Sequence, residues 1–559
     1  MSARPAVSGV DGEPSPASWQ ESGGDGRSRG QMEREVADMS VQLTPLRFLA
    51  QSERREPDKT AVVCGETRLS YSAYADRVRH LIGALRSLGV ERGDRVAYLG
   101  LNCHRLLELY YAVPARGAIL SPLNVRLTAP ELLFILQDLE PRLIVTDQTL
   151  LPMARALGQQ VGVPLVLLDG PADSEGVLFY ENLVAGATPM DLMSGRIDEQ
   201  DVAEIFYTSG TTGRPKGVQL THRNLYLHAL GVAVSAPIYP DEVQLVGTVP
   251  LFHVNGWGAP QFIVAQAATQ VVTSRFDAGE FYRLVQAEGV TLAMLVPTML
   301  AALLNYPERD RFDTTSLRRV IIGGAPPPAA LIREAREKLD VDCSVGYGLS
   351  ETCPVLTLAT IKDSLKNAPM EDQYRLRSLT GLPIIGCEMR VVQEGGREVA
   401  PDGESVGEIW VQGDMVFGGY WRRPEETAQA FSDGWFRTGD MAVVEPTGYV
   451  RIVDRKKDII ISGGENISSV EVEDALYTHP AVLEAAVVAK PDERWGEVPY
   501  AFVALRPGMQ ASPEEILGHL RGRIAGFKIP HGLEILPELP KTGTGKVVKL
   551  KLREALSQR

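Results

Sequence analysis

The residues with the clearest capacity for chemistry lie at positions 207–217, in the segment YTSGTTGRPKG. Four hydroxyl side chains, three glycines and one lysine occur there, directly after an apolar, strand-like run. Glycines let backbone N–H groups approach an oxyanion closely, hydroxyls donate further hydrogen bonds, and a lysine adds positive charge. The composition therefore predicts a loop that binds a polyphosphate, with an ordinary surface loop as the alternative.

The spacing excludes two other phosphate motifs. A Walker P-loop needs a second glycine five residues after Gly210, where this chain has Pro215. The GxGxxG fingerprint of a dinucleotide site does not occur in the sequence.

The segment at 207–217 resembles the signature loop of the AMP-forming adenylate superfamily, which includes acyl-CoA synthetases, peptide-synthetase adenylation domains and firefly-type luciferases. Further segments resembling that superfamily follow in its order: GGAP at 323–326, GYGLSE at 346–351, WFRTGD at 435–440, DRKKD at 454–458, GGEN at 463–466 and PKTGTGK at 540–546. The resemblance spans roughly residues 45–555, and the motifs look most like those of bacterial fatty-acid–CoA ligases.

The resemblance implies a nucleotide site built from several of these segments. It assigns the phosphates of ATP to Thr208, Ser209, Gly210, Thr211, Thr212, Gly213, Lys216 and Ser350. It assigns the adenine to the surface formed by Gly324, Ala325, Pro326, Gly346, Tyr347 and Gly348. Asp440 would accept two hydrogen bonds from the ribose hydroxyls, and Arg455 would assist at ribose and phosphate. Mg²⁺ is assigned to Glu351 and Thr208, because a hard cation prefers oxygen ligands.

Two positions depart from the family pattern. Val345 stands where relatives often carry a polar amide that reads adenine, so backbone groups must carry more of the base recognition. Ile461 stands where some fatty-acid-activating relatives carry a lysine.

The family's chemistry runs in two half-reactions. A carboxylate attacks the α-phosphorus of ATP, and charge gathers around that phosphorus, so positioning and electrostatics should dominate the catalysis. The resemblance assigns Lys546 to the α-phosphate and makes Glu351 and His253 the other expected catalytic residues. For the second half-reaction, Gly463 and Gly464 would leave room for the pantetheine arm of coenzyme A. The family's hinge position is occupied by Lys457, from which a small domain would turn between the two steps.

The acyl pocket is expected to begin in PLFHVNGW, at residues 250–257. In the ligases that this segment resembles, the histidine lies near the carboxylate and the tryptophan gates an acyl tunnel, which makes His253, Gly256 and Trp257 the expected lining. We expect a medium- or long-chain fatty acid, with a short, branched, sulfur-containing or aromatic acid as the alternative. A catalytically silent adenylate-binding protein on the same fold is a remote alternative.

Coenzyme A is favoured as the acyl acceptor partly by exclusion. A peptide-synthetase domain would need an acidic residue to pair with its substrate's amino group, where this chain offers His253 and Asn255. A carrier-protein domain would also be expected to follow, and the sequence ends at Arg559. The last three residues, SQR, differ from the SKL peroxisomal address expected of a luciferase relative. The expected small-molecule partners are therefore a carboxylic acid, ATP with Mg²⁺, and coenzyme A.

The elements that must position these residues alternate between strand and helix from about residue 41, which indicates an α/β protein with largely parallel sheets. Apolar strands are predicted at 95–101, 143–146, 164–168, 204–207, 243–249, 291–296 and 319–322. Ser70 is predicted to cap a helix that stops at Gly89, and Thr128 with Glu131 resembles a capping box. From about residue 386 the pattern becomes β-rich, with strands at 389–392, 408–411 and 449–453, and later at 485–489 and 500–505.

The predicted fold class is α/β. A large N-terminal domain, residues 41–457, would combine mixed, mostly parallel sheets flanked by helices with a β-rich subdomain. A small mobile α+β C-terminal domain, residues 458–559, would carry the catalytic lysine. Residues 1–40 are rich in Gly, Ser, Pro and acidic residues and are predicted to be a disordered tail.

Composition narrows the remaining function classes. A net charge of −14 argues against a nucleic-acid partner. Five scattered cysteines form no CxxC pair, and no apolar stretch reaches the ~18 residues that span a bilayer. The N-terminus lacks the apolar core of a signal peptide. We therefore expect a cytoplasmic protein without a transmembrane segment, and the oligomeric state stays open, with a homodimer as one option.

Overall fold

The computed structural model describes residues 41–170, 176–208, 215–456, 458–463, 465–492, 494–541 and 547–557. The predicted disordered tail, residues 1–40, lies outside these ranges. Within them, no helix is long and apolar enough to cross a membrane.

The first third of the chain builds a seven-stranded sheet. In chain order, this part of the protein contains α1 (Leu46–Arg55), β1 (Thr60–Cys64), β2 (Thr67–Ser70), α2 (Tyr71–Ser87), β3 (Arg95–Leu99), α3 (His104–Ala115), β4 (Ile119–Pro122), α4 (Ala129–Leu139), β5 (Leu143–Thr146), α5 (Leu151–Val161), β6 (Leu165–Leu167), β7 (Leu178–Phe179), α6 (Tyr180–Gly186), β8 (Val202–Thr208) and β9 (Lys216–Thr221). Strands β3 to β9 form the seven-stranded sheet. The strand order is β7-β6-β5-β3-β4-β8-β9, and every neighbouring pair is parallel except β8 with β9. Helices cover both faces of such a sheet, which explains the continuous apolar runs of its inner strands.

The second sheet has nine strands and takes β1 and β2 back from the start of the chain. Its further elements are α7 (His222–Ser235), β10 (Val243–Val246), α8 (Val254–Ala265), β11 (Thr269–Val272), α9 (Ala278–Glu288), β12 (Leu292–Leu295), α10 (Pro297–Leu304), β13 (Arg319–Ile322), α11 (Ala329–Leu339), β14 (Asp342–Gly348), β15 (Val355–Leu358), α12 (Met370–Ser378) and β16 (Leu382–Pro383). The order is β16-β15-β14-β13-β12-β10-β11-β1-β2, parallel from β14 through β1.

Two smaller sheets complete the described chain. An antiparallel sheet contains β17 (Glu388–Val392), β18 (Gly407–Gln412), β19 (Phe431–Ser432), β20 (Trp435–Val444) and β21 (Val450–Arg455), with α13 (Pro424–Ala430) before β19. The last sheet, with its helices, contains β22 (Ile460–Ser462), β23 (Glu465–Ile467), α14 (Ser469–Tyr477), β24 (Val482–Asp492), β25 (Gly496–Leu505), α15 (Pro513–His519), β26 (Gly532–Ile535) and α16 (Lys549–Ser557).

The predicted fold class is confirmed: mostly parallel α/β sheets are followed by a β-rich part and a small C-terminal α+β part. The boundary at residues 457 and 458 stays a prediction. Strands β5 and β13 have the predicted bounds, whereas β10 stops at Val246, three residues before the predicted end. The chain turns at Gly247, where φ is +98° and an added Cβ would lie 2.3 Å from the carbonyl oxygen of Thr273. Only glycine fits that turn.

The predicted helix ends also hold. Ser70 Oγ accepts a hydrogen bond from the backbone N–H of Ala73 at 3.2 Å, so it caps α2. Gly89 follows that helix with a φ of +72°. At α4, the Glu131 side chain accepts a hydrogen bond from the Thr128 backbone N–H at 2.7 Å.

Candidate active site

The phosphate loop connects β8 to β9. Thr208 and Lys216 face each other in the antiparallel register of these strands, so the two ends of the loop are held side by side. Ser209, Gly210, Thr211, Thr212 and Gly213 lie outside the described residues, and their assignment to phosphate stays a prediction.

Asp138 of α4 fixes the approach to this loop. Its Oδ2 accepts a hydrogen bond from the Tyr207 hydroxyl at 2.8 Å, and its Oδ1 accepts one from Arg423 at 2.6 Å. Because Tyr207 immediately precedes Thr208, one carboxylate ties the start of the loop to the segment around residue 423.

The carboxylate of Glu351 lies buried in a short 3₁₀ turn, Ser350–Thr352, that follows β14. Its Oε1 accepts a hydrogen bond from the hydroxyl of Tyr420 at 2.9 Å. The Lys216 ammonium lies 5.1 Å from the centre of the same tyrosine ring. Burial raises the pKa of Glu351, since a carboxylate loses hydration there, and a bound cation would compensate that loss. The structure thus brings two predicted residues, Lys216 and Glu351, to one tyrosine for which the sequence predicted no role. Ser350 lies in the same turn as Glu351.

The backbone of residues 419–421 explains how Tyr420 reaches this position. The N–H of Trp421 donates to the carbonyl of Gly217 at 2.7 Å, and Gln219 donates to the carbonyl of Gly419 at 3.3 Å. Residues 419–421 therefore pair along β9, next to the end of the phosphate loop. The GGYW sequence at 418–421 was the available signal, since an aromatic residue after two glycines is atypical of a plain surface turn.

A second cluster joins Tyr347, Asp440 and Arg455. The hydroxyl of Tyr347 donates to Asp440 Oδ2 at 2.7 Å, and Arg455 Nε lies 2.5 Å from Asp440 Oδ1. Asp440 and Arg455 are also register partners across β20 and β21. Burial raises the pKa of Tyr347 well above its usual value, so the phenol stays a hydrogen-bond donor at neutral pH. The ribose contacts expected of Asp440 stay a prediction.

The ends of β13 and β14 meet the acyl segment at Gly323. A Cβ added there would lie 2.6 Å from Cη2 of Trp257 and 2.9 Å from the carbonyl oxygen of Gly346. The predicted acyl gate and the predicted adenine surface are therefore in contact through the backbone of one glycine. Gly324 follows with a φ of +83°, while Ala325 and Pro326 are exposed. Val345, the departure from the family pattern, is buried in β14.

The acyl segment has an unusual backbone. Val254, Asn255, Gly256, Trp257 and Gly258 all have positive φ, between +42° and +87°. This left-handed turn opens α8 and buries the Trp257 indole, which is 7% exposed. The segment is held from the side of α3, where Tyr110 donates to the Leu251 carbonyl at 2.7 Å. His253 precedes the turn and is half-buried.

A buried glutamate lies beneath the same segment. Glu204 of β8 is fully buried, and its two oxygens accept hydrogen bonds from Asn255 at 2.7 Å and Gln261 at 2.9 Å. Burial raises the pKa of Glu204 to about 8. The sequence predicts a strand at this residue and no role for its side chain, although a charge within an apolar run is a signal of a special environment.

The C-terminal part contributes Gly463, whose N–H donates to the Trp495 carbonyl at 2.8 Å. With a φ of +59°, an added Cβ at this position would lie 2.8 Å from the indole of Trp495. Lys457, Gly464 and Lys546 lie outside the described residues, so their hinge, thioester and α-phosphate roles stay predictions. Ile461, the second departure, is exposed.

Comparisons with known proteins find relatives over most of the chain. A family model described as AMP-binding enzyme matches residues 49–421, and one described as AMP-binding enzyme C-terminal domain matches residues 471–546. The long-chain-fatty-acid–CoA ligase of Thermus thermophilus is 41% identical over 494 residues, which cover 87% of this chain and 90% of that protein. The 4-hydroxybutyrate–CoA ligase 2 of Metallosphaera sedula is 36% identical over 519 residues, covering 91% and 94%. The crystal structure of ATP-bound MatB from Rhodopseudomonas palustris aligns with a TM-score of 0.82 at 30% identity, covering 92% of this chain and 99% of that one.

Proposed function

The chain belongs to the AMP-binding family of adenylate-forming acid–CoA ligases, and from that premise we propose that its acid is a medium- or long-chain fatty acid. It is an AMP-forming ligase, which converts an acid and ATP to an acyl-adenylate and pyrophosphate, then to an acyl-CoA and AMP.

The observation that carries the fatty-acid proposal is the wall around Trp257. The indole belongs to an extended buried apolar cluster that also includes Leu251, Val254, Phe262 and Ile321. An acyl chain that displaced the indole into solvent would be surrounded by hydrocarbon. Burial of each CH₂ group would then stabilise the bound acid by about 0.8 kcal/mol. The ligase at 41% identity is named for a long-chain fatty acid, which supports the same choice.

One finding favours a second candidate, a short acid. Trp257 fills the space against Gly323 and is almost fully buried, and an indole held in this position leaves less length for an acyl chain. The relative at 36% identity is named for 4-hydroxybutyrate, a short polar acid.

In the adenylation step, we propose that residues 208–216 hold the β- and γ-phosphates and that Lys546 stabilises charge at the α-phosphate. The acid's carboxylate oxygen forms a bond to the α-phosphorus, and the bond to pyrophosphate breaks. Tyr347, Asp440 and Arg455 would fix adenine and ribose, so that the α-phosphorus faces the carboxylate beside His253. The thiol of coenzyme A would then attack the acyl carbonyl past Gly463 and Gly464, with AMP as the leaving group.

The residues fit a magnesium ion shared with the substrate. Mg²⁺ is usually held by one or two carboxylates together with substrate phosphates, and Glu351 is a buried carboxylate beside the phosphate loop. Groups of three or more His, Cys, Asp or Glu side chains that could hold a metal do not occur in the described ranges. When bound, the ion would neutralise charge on the phosphate oxygens, with Glu351 as its protein carboxylate and Thr208 as a hydroxyl ligand.

The test is a pyrophosphate-exchange assay over a panel of acids, with coenzyme A added afterwards. We expect exchange to depend on added acid and kcat/KM to rise from butyrate to medium- and long-chain fatty acids. A maximum at butyrate, 4-hydroxybutyrate or benzoate would contradict the fatty-acid proposal. Acyl-AMP that is not converted on addition of coenzyme A would contradict the choice of acceptor.

A further inference from the structure

The left-handed turn at residues 254–258 needs support from its surroundings. A non-glycine residue with positive φ costs on the order of 1–3 kcal/mol, and Val254, Asn255 and Trp257 have φ values of +45°, +42° and +65°. Val254 is branched at Cβ, which makes this conformation still less favourable. Strain of this kind persists only where the neighbouring structure determines the backbone.

Asn255 closes the turn, and Glu204 orients Asn255. The Oδ1 atom of Asn255 accepts a hydrogen bond from the backbone N–H of Gly258 at 2.6 Å. Its Nδ2 atom donates to Glu204 Oε2 at 2.7 Å. Since an amide has one donor end and one acceptor end, the acceptor at Glu204 determines that Oδ1 points to Gly258. The turn then places Trp257 against Gly323.

Gln261, the second hydrogen-bond partner of Glu204, can also accept a hydrogen bond from a protonated Glu204. Gln261 donates from Nε2 to Glu204 Oε1 at 2.9 Å, while its own Oε1 is buried without a hydrogen-bond partner in the described part of the chain. Rotating this amide by half a turn places its oxygen toward Glu204, and the two amide orientations look alike in shape. A protonated Glu204 then donates from Oε1 to Gln261 and still accepts from Asn255 at Oε2.

Within the part of the chain that the structure describes, no positively charged side chain pairs with Glu204. Ion pairs to Glu204 do not occur among the described residues, and its neighbours in register on β4 and β9 are Leu120 and Leu220. The titratable groups that face it are the phenols of Tyr110 and Tyr111 on α3 and the thiol of Cys353. Burial raises the pKa of all three well above their usual values, so they stay neutral where Glu204 titrates.

We propose that Glu204 is a positioning residue of the acyl site, which in its neutral form fixes the left-handed turn at residues 254–258 and, through it, the indole of Trp257. This inference rests on the proposed function, because it takes residues 253–257 as the wall of the acyl site. Ionisation of Glu204 removes the donor to Gln261 and leaves a buried charge, which draws water or reorients the turn. Use of the acid, rather than of ATP, then declines at alkaline pH.

The experiment compares pH profiles of wild type, Glu204→Gln and Glu204→Leu in the pyrophosphate-exchange assay. The acid is whichever one the wild type uses best, so a preference for a short acid overturns the fatty-acid proposal and leaves this test in place. A glutamine keeps one acceptor for Asn255 and one donor for Gln261 but has no proton to lose. Glu108→Gln is the matched control, because Glu108 is also fully buried but is paired with Arg77 at 2.6 Å.

For the wild type, kcat/KM for the acid should decrease above pH 8 by about tenfold per pH unit, as expected for one essential protonated group. The Glu204→Gln profile should lose this alkaline limb, and Glu108→Gln should keep it. Glu204→Leu should lower kcat/KM for the acid at neutral pH by roughly 10²-fold, because Trp257 and the turn that carries it are displaced. KM for ATP should change by less than about threefold. An alkaline limb that persists in Glu204→Gln overturns the proposal. Equal losses toward acid and ATP in Glu204→Leu overturn it as well, since they indicate a merely structural role.

Discussion

The hydroxyl of Tyr420 donates a hydrogen bond to Glu351 Oε1 at 2.9 Å, although the two residues lie 69 positions apart in the sequence. The bond fixes one oxygen of the proposed magnesium carboxylate. Because Lys216 lies over the same tyrosine ring, Tyr420 positions a negative and a positive group of the proposed ATP site at once.

Tyr420→Phe should weaken the use of Mg²⁺ while leaving Lys216 over the ring. Loss of a hydrogen bond to a charged group is worth about 1.5–3 kcal/mol, so the rate of adenylation at low Mg²⁺ should decrease roughly tenfold or more. Titration of the exchange rate with Mg²⁺ checks this, with partial recovery expected at high concentration. The control is Tyr239→Phe, at a tyrosine that is 55% exposed. A rate loss that is independent of Mg²⁺ would contradict the positioning role.

Trp257→Gly should change which acids are accepted more than it changes KM for ATP. The indole occupies volume beside Gly323, and its removal lengthens the acyl site, whereas the nucleotide contacts at Tyr347 and Asp440 stay intact. The measurement is kcat/KM over a series of chain lengths. An unchanged profile combined with a raised KM for ATP would mean that the indole packs the core instead.

Gly323→Ala provides the complementary test from the other side of that contact. Its new methyl would lie 2.6 Å from Trp257 Cη2 and 2.9 Å from the carbonyl oxygen of Gly346. The indole and the backbone at Gly346 must both give way, so the acid profile should shift in the same assay and KM for ATP should rise with it. Gly186→Ala is the control, because an added Cβ there meets no atom within 4 Å. An acid profile identical to that of the wild type would show that the indole does not shape the acyl site.

Lys546→Ala should abolish adenylation and largely spare thioester formation from supplied acyl-adenylate. A single electrostatic donor is commonly worth roughly 10²–10³ in rate, and the family resemblance places this lysine at the α-phosphate. Lys541 and Val547, the described residues on either side of 542–546, pair as an isolated bridge. The control is Lys541→Ala, at a lysine paired with Glu484 at 2.5 Å. An equal loss of rate in both half-reactions would show that Lys546 does not serve the adenylation step alone.

Local patterns in the sequence were sufficient for the fold class, whereas the residues of the proposed site came from the family resemblance. The strands at 143–146 and 319–322, the cap at Ser70 and the turn glycine at 89 depend on nearby residues, and all were predicted. The family resemblance assigned Tyr347 to adenine and Asp440 to ribose, and the structure brings their side chains into contact.

The residues that were missed depend on contacts between distant segments. Tyr420 acts on Glu351 only because residues 419–421 pair with β9, about 200 positions earlier in the chain. Glu204 acts on Asn255 because β8 passes under α8. The local signals at Tyr420 and Glu204 mark an unusual residue without naming its partner, since hydrophobic periodicity reports the face of an element and not the partner of one polar atom.

Lys457→Pro should retain much of the adenylation step and lose most of the thioester step. The small domain must turn between the two steps if Lys546 and Gly464 are to serve the same acyl group, and a proline would fix φ near −65° and restrict Lys456. Asp454, just before this position, accepts hydrogen bonds from the N–H and Oγ of Ser469, both at 2.6 Å, so the chain is anchored on either side of it. Single-turnover assays measure the rate of each half-reaction separately in the proline variant, with Lys457→Ala as the control. Full thioester formation in the proline variant would show that residue 457 is not the hinge.

Glu204→Gln should stabilise the protein at pH 8 more than at pH 5. Burial raises the pKa of Glu204 to about 8 in the folded protein, from 4.5 for an ordinary glutamate. Below pH 4.5 both states hold the proton, and above pH 8 both have lost it. Between these values only the folded state binds the proton, so the free energy of unfolding of the wild type decreases by up to about 1.4 kcal/mol per pH unit as pH rises. In the glutamine variant residue 204 has no proton to lose, so this decrease in the free energy of unfolding does not occur.

The measurement is Tm for wild type and variant at pH 5, 6, 7 and 8. The gain in stability of Glu204→Gln over the wild type should grow steadily over this range. It should approach roughly 3 kcal/mol in the free energy of unfolding if the full shift of the Glu204 pKa is expressed. The control Glu108→Gln should be destabilised instead, because it breaks a buried pair and leaves the Arg77 charge with fewer partners. A difference for Glu204→Gln that does not change with pH would mean that Glu204 has the same protonation state folded and unfolded. In that case a charged carboxylate, and not a neutral acid, would hold Asn255 in place.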